Sequence, residues 1–353
     1  MHSKLLLAAV VIAVLGGCTA SAVNPDAGIS VSGRALDGAG NPIAQANVSL
    51  IGSSFSAINN SCGVAFADST RSAATDTTGT YRFSLKGADT QLDGNARCFE
   101  ASLSGDGGRQ TLADFPIQVD AVAVPDLQLW DAQLVAQPGA AQEQFSWRAP
   151  TAALTGETAL STQVLNLTAT DGVAWTTTLD KAAGSAVLPD AVLEDFALTA
   201  QLTAIGVPKG SGVIFSVAHR SSALPLLRGT ALPLSRGAPC TSPESALSSP
   251  CPYTDGQLAA VPASVGQLTV TLAAPAIARH LLLRSVTGGR DVMVESSADG
   301  QTFTSVGNGL TGDGFIDVAL TLPAPAATYR ITFRTPGKAV TNPANLAELS
   351  LFP

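Results

Sequence analysis

Charged and aromatic side chains are both scarce in this chain of 353 residues: Asp, Glu, Lys and Arg together make 13% and Phe, Trp and Tyr only 5%. So little charge, in a chain that is 46% hydrophobic, excludes a long solvated disordered tail. Cations are fewer still, 19 Lys and Arg against 27 Asp and Glu. The net charge of −8 and the lack of a basic patch exclude nucleic-acid binding through phosphate contacts. Histidine is rarer: apart from His2 there are His219 and His280, both in strand-like segments with basic neighbours. No H-E-x-x-H, G-x-S-x-G or supported S-x-x-K pattern occurs, so neither a zinc hydrolase nor a serine triad is legible. A glycosidase with two acids far apart in the chain stays open. Gly307-Asn308-Gly309-Leu310-Thr311-Gly312 spells G-x-G-x-x-G, but strand-type residues follow it. Without a helix N-terminus to face a phosphate, it reads as a hairpin loop. Long hydrophobic runs are missing too, since no segment after residue 15 approaches the ~20 residues of a membrane span.

What is present begins with a basic start (His2, Lys4), an apolar run from Leu5 to Leu15 and the sequence Leu15-Gly16-Gly17-Cys18. The run is too short for a comfortable span and ends in small residues, as a secretory signal does. Small residues ending in cysteine resemble the lipobox of bacterial lipoproteins. That resemblance implies cleavage after residue 17 and lipidation of Cys18. The alternative is an ordinary signal peptide followed by an incidental cysteine. Acyl chains on Cys18 would hold the protein stably at a membrane, outside the cytoplasm, in the cell envelope. Thr19, where an aspartate is absent, implies outer-membrane sorting if there are two membranes. Residues 18–27 read as a flexible tether.

Four further cysteines fall as two local pairs. In an oxidising compartment they are expected to form disulfides Cys62–Cys98 and Cys240–Cys251, one of three connectivities open to four cysteines. With no C-x-x-C and no neighbouring histidine, zinc is the poorer reading.

Alanine, threonine, valine, serine and glycine fill the composition, which suits β-sandwiches with small-residue cores. The expected fold is all-β, three consecutive sandwiches. In the first, residues 28–123, Ile29, Val31 and Gly33 alternate with polar residues, and Ala46, Val48 and Leu50 resume after a turn at Asp37–Pro42. Tyr81, Phe83 and Leu85 follow a second turn at Asp76-Thr77-Thr78-Gly79. Val31, Gly33, Asp37, Gly40, Pro42, Ile43, Ala46 and Val48, then Thr75, Asp76, Gly79, Tyr81 and Phe83, resemble the carboxypeptidase-regulatory-like family. This implies a prealbumin-like sandwich serving as a non-catalytic spacer. An insert from Gly52 to Ala74 departs from the family pattern and is either a stabilised connection or a binding loop.

The second domain, 124–234, carries Phe145 and Trp147 on one strand face before Pro150, then strands around Val164, Leu165, Leu167, Val173 and Trp175. Phe196, Leu198, Ala200 and Leu202 alternate. The order resembles a fibronectin type III or similar immunoglobulin-like sandwich, although the corner tyrosine is absent and Phe196 is the nearest candidate. Trp147 and Trp175 sit in strand patterns and read as core.

The third domain, 235–353, has Thr254-Asp255-Gly256, an alternating Leu268, Val270 and Leu272, then Val294–Phe303 with an Asp299-Gly300 turn, and Leu346–Leu351. This order resembles the discoidin-like (coagulation factor 5/8 type C) jelly roll, without the tryptophan and aspartate usual early in that family. The resemblance implies ligand binding by loops at one barrel end, here 240–257 and 307–314, with Tyr253 and Phe315 as the available aromatics. It also implies a structural calcium held by Asp255 and Glu348; the alternative is a turn-forming aspartate and a surface or capping glutamate. The function expected is a lipid-anchored, non-catalytic binding or adhesion protein whose third domain recognises a glycan or a protein. The alternative is a structural or envelope-assembly lipoprotein acting through protein contacts.

Overall fold

The computed structural model describes residues 23–56, 61–65, 70–92, 95–138, 142–150, 158–189, 197–208, 216–226, 232–258, 264–286, 289–310 and 314–353. Cys18 and Phe196 lie outside the described residues. Among those described there is no α-helix, and no helix is long and apolar enough to cross a membrane. The all-β expectation holds, and the strands enclose three hydrophobic cores.

In the first sandwich, strand Gly28–Leu36 pairs antiparallel with Thr80–Lys86, setting Ile29 opposite Leu85 and Val31 opposite Phe83. The two-residue period puts these side chains on one face, where they meet Val48, Leu50, Ala101, Leu103, Ala113 and Phe115 from the facing strands. The first turn closes on Asp37, whose Oδ1 accepts from the Ala39 and Asn41 amides at 2.9 and 2.8 Å. Asp76 repeats the device with the Thr78 and Thr80 amides at 2.8 and 2.9 Å. The insert folds back as strands Ser61–Ala65 and Arg71–Ala74, both paired with Asn47–Ser56.

The second core forms between sheet Val135–Pro138, Gln142–Ser146, Ser185–Pro189 and sheet Gly172–Leu179, Thr158–Ala169, Leu198–Pro208. Trp147 is buried, and its Nε1 donates to Gln163 Oε1 at 3.0 Å. Gln163 donates in turn to the carbonyls of Asp180, Lys181 and Ala183, so this buried amide ties a turn to the core. Trp175 packs partly buried against the same core.

The junction of the first two domains differs from a clean division at 123/124. Val124, Leu127 and Leu129 pack into the first core, whereas Trp130 and Ala132 enter the second. Strand Ser216–Arg220 pairs with Leu198–Pro208 on one side and Gln110–Pro116 on the other, making one continuous ten-stranded sheet. An unpaired edge exposes a row of peptide groups, and this strand covers two edges at once. Its Val217 joins the first core although it lies far along the chain from that domain's other strands.

The third sandwich faces a five-stranded sheet (Cys240–Thr241, Gln267–Ala276, Ala326–Arg334, Asp291–Ser297, Thr304–Leu310) with a three-stranded one (Gly314–Ala319, His280–Val286, Glu348–Phe352). Leu268, Val270, Val294, Ile331, Leu281 and Leu349 fill the space between them. Asp299 forms the expected hairpin turn: its Oδ1 accepts from the Thr302 and Gln301 amides at 2.8 and 2.9 Å, which holds the carboxyl well below the usual range. Leu258, Leu282 and Phe352 of this domain pack into the second core. The second and third domains thus share a buried apolar junction.

Candidate functional site

On the outer face of the five-stranded sheet lies a groove of about 540 Å³. That volume is in the range of small-ligand sites. Asp291 and Met293 reach it because, along Asp291–Ser297, Val292 and Val294 take the core face and their neighbours the outer one. Ser305, Asn308 and Leu310 line it from the adjacent strand, and Arg334 and Lys338 from the end of Ala326–Arg334 and the loop beyond. Leu310 is 62% exposed and, with Met293, supplies apolar floor. The loop is closed on itself, with the Thr335 amide donating to Val340 O at 3.0 Å and the Lys338 amide to Thr335 O at 2.9 Å. Asp291 fixes it to the sheet by accepting from the Gly337 amide at 2.7 Å.

The sequence pointed only partly to this place. Residues 308–310 of the expected loop 307–314 line the groove, but 240–257 does not. Two glycines of the G-x-G-x-x-G stretch serve sheet packing: a Cβ on Gly307 would lie 2.7 Å from Leu320 Cδ2, and one on Gly309 2.6 Å from Ile316 Cδ1. Phe315 stands opposite Arg284 in strand Gly314–Ala319, and its side chain lies outside the described residues. Tyr253 is a correction. It is fully buried in the third core, and burial pushes its phenol pKa up, so no sugar face can stack on it. Arg334 and Lys338 were missed, because a lone cation at a strand end and another in a Pro-Gly-Lys turn look like ordinary surface until the loop folds back.

The proposed calcium ligands adjoin one turn, but each carboxylate is engaged there by a backbone amide. Asp255 Oδ1 accepts from the Gln257 amide at 2.9 Å, within its own turn. Glu348 is fully buried; its Oε2 accepts from the Gly256 amide at 3.1 Å, and Arg236 Nη2 stands 3.8 Å from its Oε1. Gly256 has φ +84°, and a Cβ there would overlap Arg236 Nη1. The guanidinium therefore lies against the turn, beside the carboxylate. Calcium takes six to eight oxygen ligands, and among the described residues no group of three His, Cys, Asp or Glu side chains stands together to anchor one. These residues do not fit the ion.

Both expected disulfides are present, Cys62–Cys98 and Cys240–Cys251, each with Cα atoms 5.4 Å apart. His219 is buried at the junction of the first two domains, its Nδ1 3.0 Å from Gln128 O and 3.3 Å from Thr111 Oγ1. Burial holds its imidazole down to about 4 against the pull of the Gln128 carbonyl. His280 lies 3.3 Å from Asp317 at the surface.

No family model matches the chain, and no curated protein matches it. Among solved structures, the chain is similar to SpGH29 at 21% identity, over 34% of this chain and 27% of that one, with a TM-score of 0.27. A chitosan-binding module from a chitosanase/glucanase of Paenibacillus sp. IK-5 is 18% identical over 34% of this chain and 98% of the module, TM-score 0.28. The module CpGH89CBM32-4, produced by Clostridium perfringens, is 14% identical over 35% of this chain and all 100% of its own, TM-score 0.27. The chain thus spans about a quarter of SpGH29 and nearly the whole of each module.

Proposed function

We propose that this protein is a non-catalytic, extracytoplasmic binding protein, tethered through a lipid on Cys18, whose third domain recognises a glycan or a protein. The observation that supports this reading most is the groove: hydroxyl, amide and charged side chains (Ser305, Asn308, Arg334, Lys338) stand around an apolar floor of Met293 and Leu310. Such a mixture suits orientation of a polar ligand by hydrogen bonds. The first two domains, joined by a continuous sheet, act as a stiff spacer between lipid and groove. The structural reading draws on Val135 and Val187, 46% and 52% exposed on the two strands that flank Gln142–Ser146 in the second domain, which would suit a protein contact.

The test is a glycan array probed with the whole chain carrying Cys18→Ala, to keep it free of lipid, beside an envelope pull-down with the lipidated protein. Saccharide hits lost on altering groove residues would support the reading. A blank array with a single envelope partner bound through Val135 and Val187 would favour the structural one. Partition of the parent chain into membranes, and of the Cys18→Ala variant into the soluble fraction, checks the tether.

A further inference from the structure

Resting on that reading of the groove, we infer that its ligand is an anionic saccharide, one bearing a carboxylate or a sulfate. The first observation is what the groove lacks. Among the described residues that line it none is aromatic, so a neutral pyranose finds no ring there to stack on. Its affinity would rest on neutral hydrogen bonds alone, which exchange for water at little net gain. The second is what the groove holds. Arg334 and Lys338 both line it, and neither side chain makes an ion pair with any other described residue. The one acid present, Asp291, stands opposite Arg334 in the strand pairing, yet it accepts from the Gly337 amide. It therefore fixes the loop that carries Lys338 instead of pairing with either cation. Among the described residues the groove holds two cations against one occupied acid, on a chain whose overall charge is −8.

Charge-assisted bonds from a guanidinium or ammonium to an anionic oxygen are roughly twice as strong as neutral ones, and Arg offers them as a planar fork. Ser305 and Asn308 stand close by to serve ring hydroxyls. An acidic peptide would present the same charge, but a protein contact draws most of its energy from a buried aromatic or aliphatic anchor. Met293 and an exposed Leu310 give such an anchor little depth, so the observations favour the saccharide.

The experiment is an array carrying uronate, sulfated and sialylated glycans, each beside its neutral or methyl-esterified counterpart, with polyglutamate as the peptide control. The whole chain is compared with R334Q/K338Q, whose thermal melt should match the parent because both residues lie at the surface. The expected result is binding to acidic glycans at least about tenfold tighter than to their neutral counterparts, a difference lost in the double variant. Uronate and sulfate arms tell which anion is preferred. Equal binding to neutral counterparts, an unaffected double variant, or stronger binding to polyglutamate would overturn the inference while leaving a binding groove in place. A blank array with folded protein would overturn both the inference and the glycan reading beneath it.

Discussion

Arg284 and Glu348 face each other across the antiparallel pair His280–Val286 and Glu348–Phe352, and both are fully buried. Arg284 Nη1 also donates to the Ala174 carbonyl of the second domain at 2.6 Å. The residue thus belongs to the inner strand pairing of the third domain, while its guanidinium reaches the second. Leu258 adds to that seat, its amide donating to Asp171 Oδ2 at 2.8 Å.

Removing the Arg284 charge while keeping its length should expose both roles. Arg284→Met removes a fully buried cation and leaves the Ala174 carbonyl without this donor. A loss of about 2 kcal/mol in chemical denaturation is expected. Limited proteolysis should then cut between the second and third domains sooner than in the parent. An unchanged melt would show that the junction rests on Leu258, Leu282 and Phe352 alone.

The third domain should not respond to calcium, because Arg236 supplies the cation beside Glu348. Differential scanning fluorimetry with millimolar calcium and with chelator should give the same melting temperature. Gly256→Ala should cost about 2 kcal/mol, since it adds a Cβ at φ +84° where Arg236 Nη1 lies. A clear rise in melting temperature with calcium would contradict this account of the turn.

His219 makes the junction of the first two domains sensitive to acid. Its folded pKa of about 4 lies below the ordinary value of 6.5, so the unfolded chain binds the extra proton between them. Its contribution, about 3 kcal/mol, is complete above pH 6.5 and lost as the pH falls toward 4. Glu100 and Asp114 nearby act in the opposite sense: burial raises both, so they stabilise the fold on the acid side. Comparing denaturation from pH 7 to 4 with that of His219→Gln isolates the histidine, and the variant should show the flatter profile.

Reduction should cost the two disulfides unequally. The bridge between Cys62 and Cys98 spans 36 residues and that between Cys240 and Cys251 spans 11. Loop closure in the unfolded chain predicts about 4 and about 3 kcal/mol for their separate removal. Peptide mapping without reductant checks the pairing, and melts of Cys62→Ser/Cys98→Ser and Cys240→Ser/Cys251→Ser check the order.

Local chemistry was legible and distant pairing was not. The alternation of Ile29 and Val31 with serines, and of Tyr81, Phe83 and Leu85 with polar residues, names a buried face wherever the strand ends up. Asp37, Asp76 and Asp299 bind amides two to four residues away, so each turn is written within a few positions. Tyr253 shows the limit. A tyrosine in a Pro-rich loop after a cysteine looks available for a ligand, yet it is buried in a core built from residues elsewhere in the chain, Val265, Leu268 and Leu349 among them.

By itself, then, the sequence determined the all-β character, the turns and the two cysteine pairs, because period-two alternation, Asx turns and short-range cysteine spacing depend on near neighbours. Only the tertiary structure decided that Ser216–Arg220 would join two sandwiches into one sheet, since an edge strand accepts any partner whose peptide groups reach it. It also decided that Arg236 would stand beside Glu348 and that Arg334 and Lys338 would line one groove. Those placements follow from how separate strands pack, and a charged side chain acquires its role from whatever packing sets in front of it.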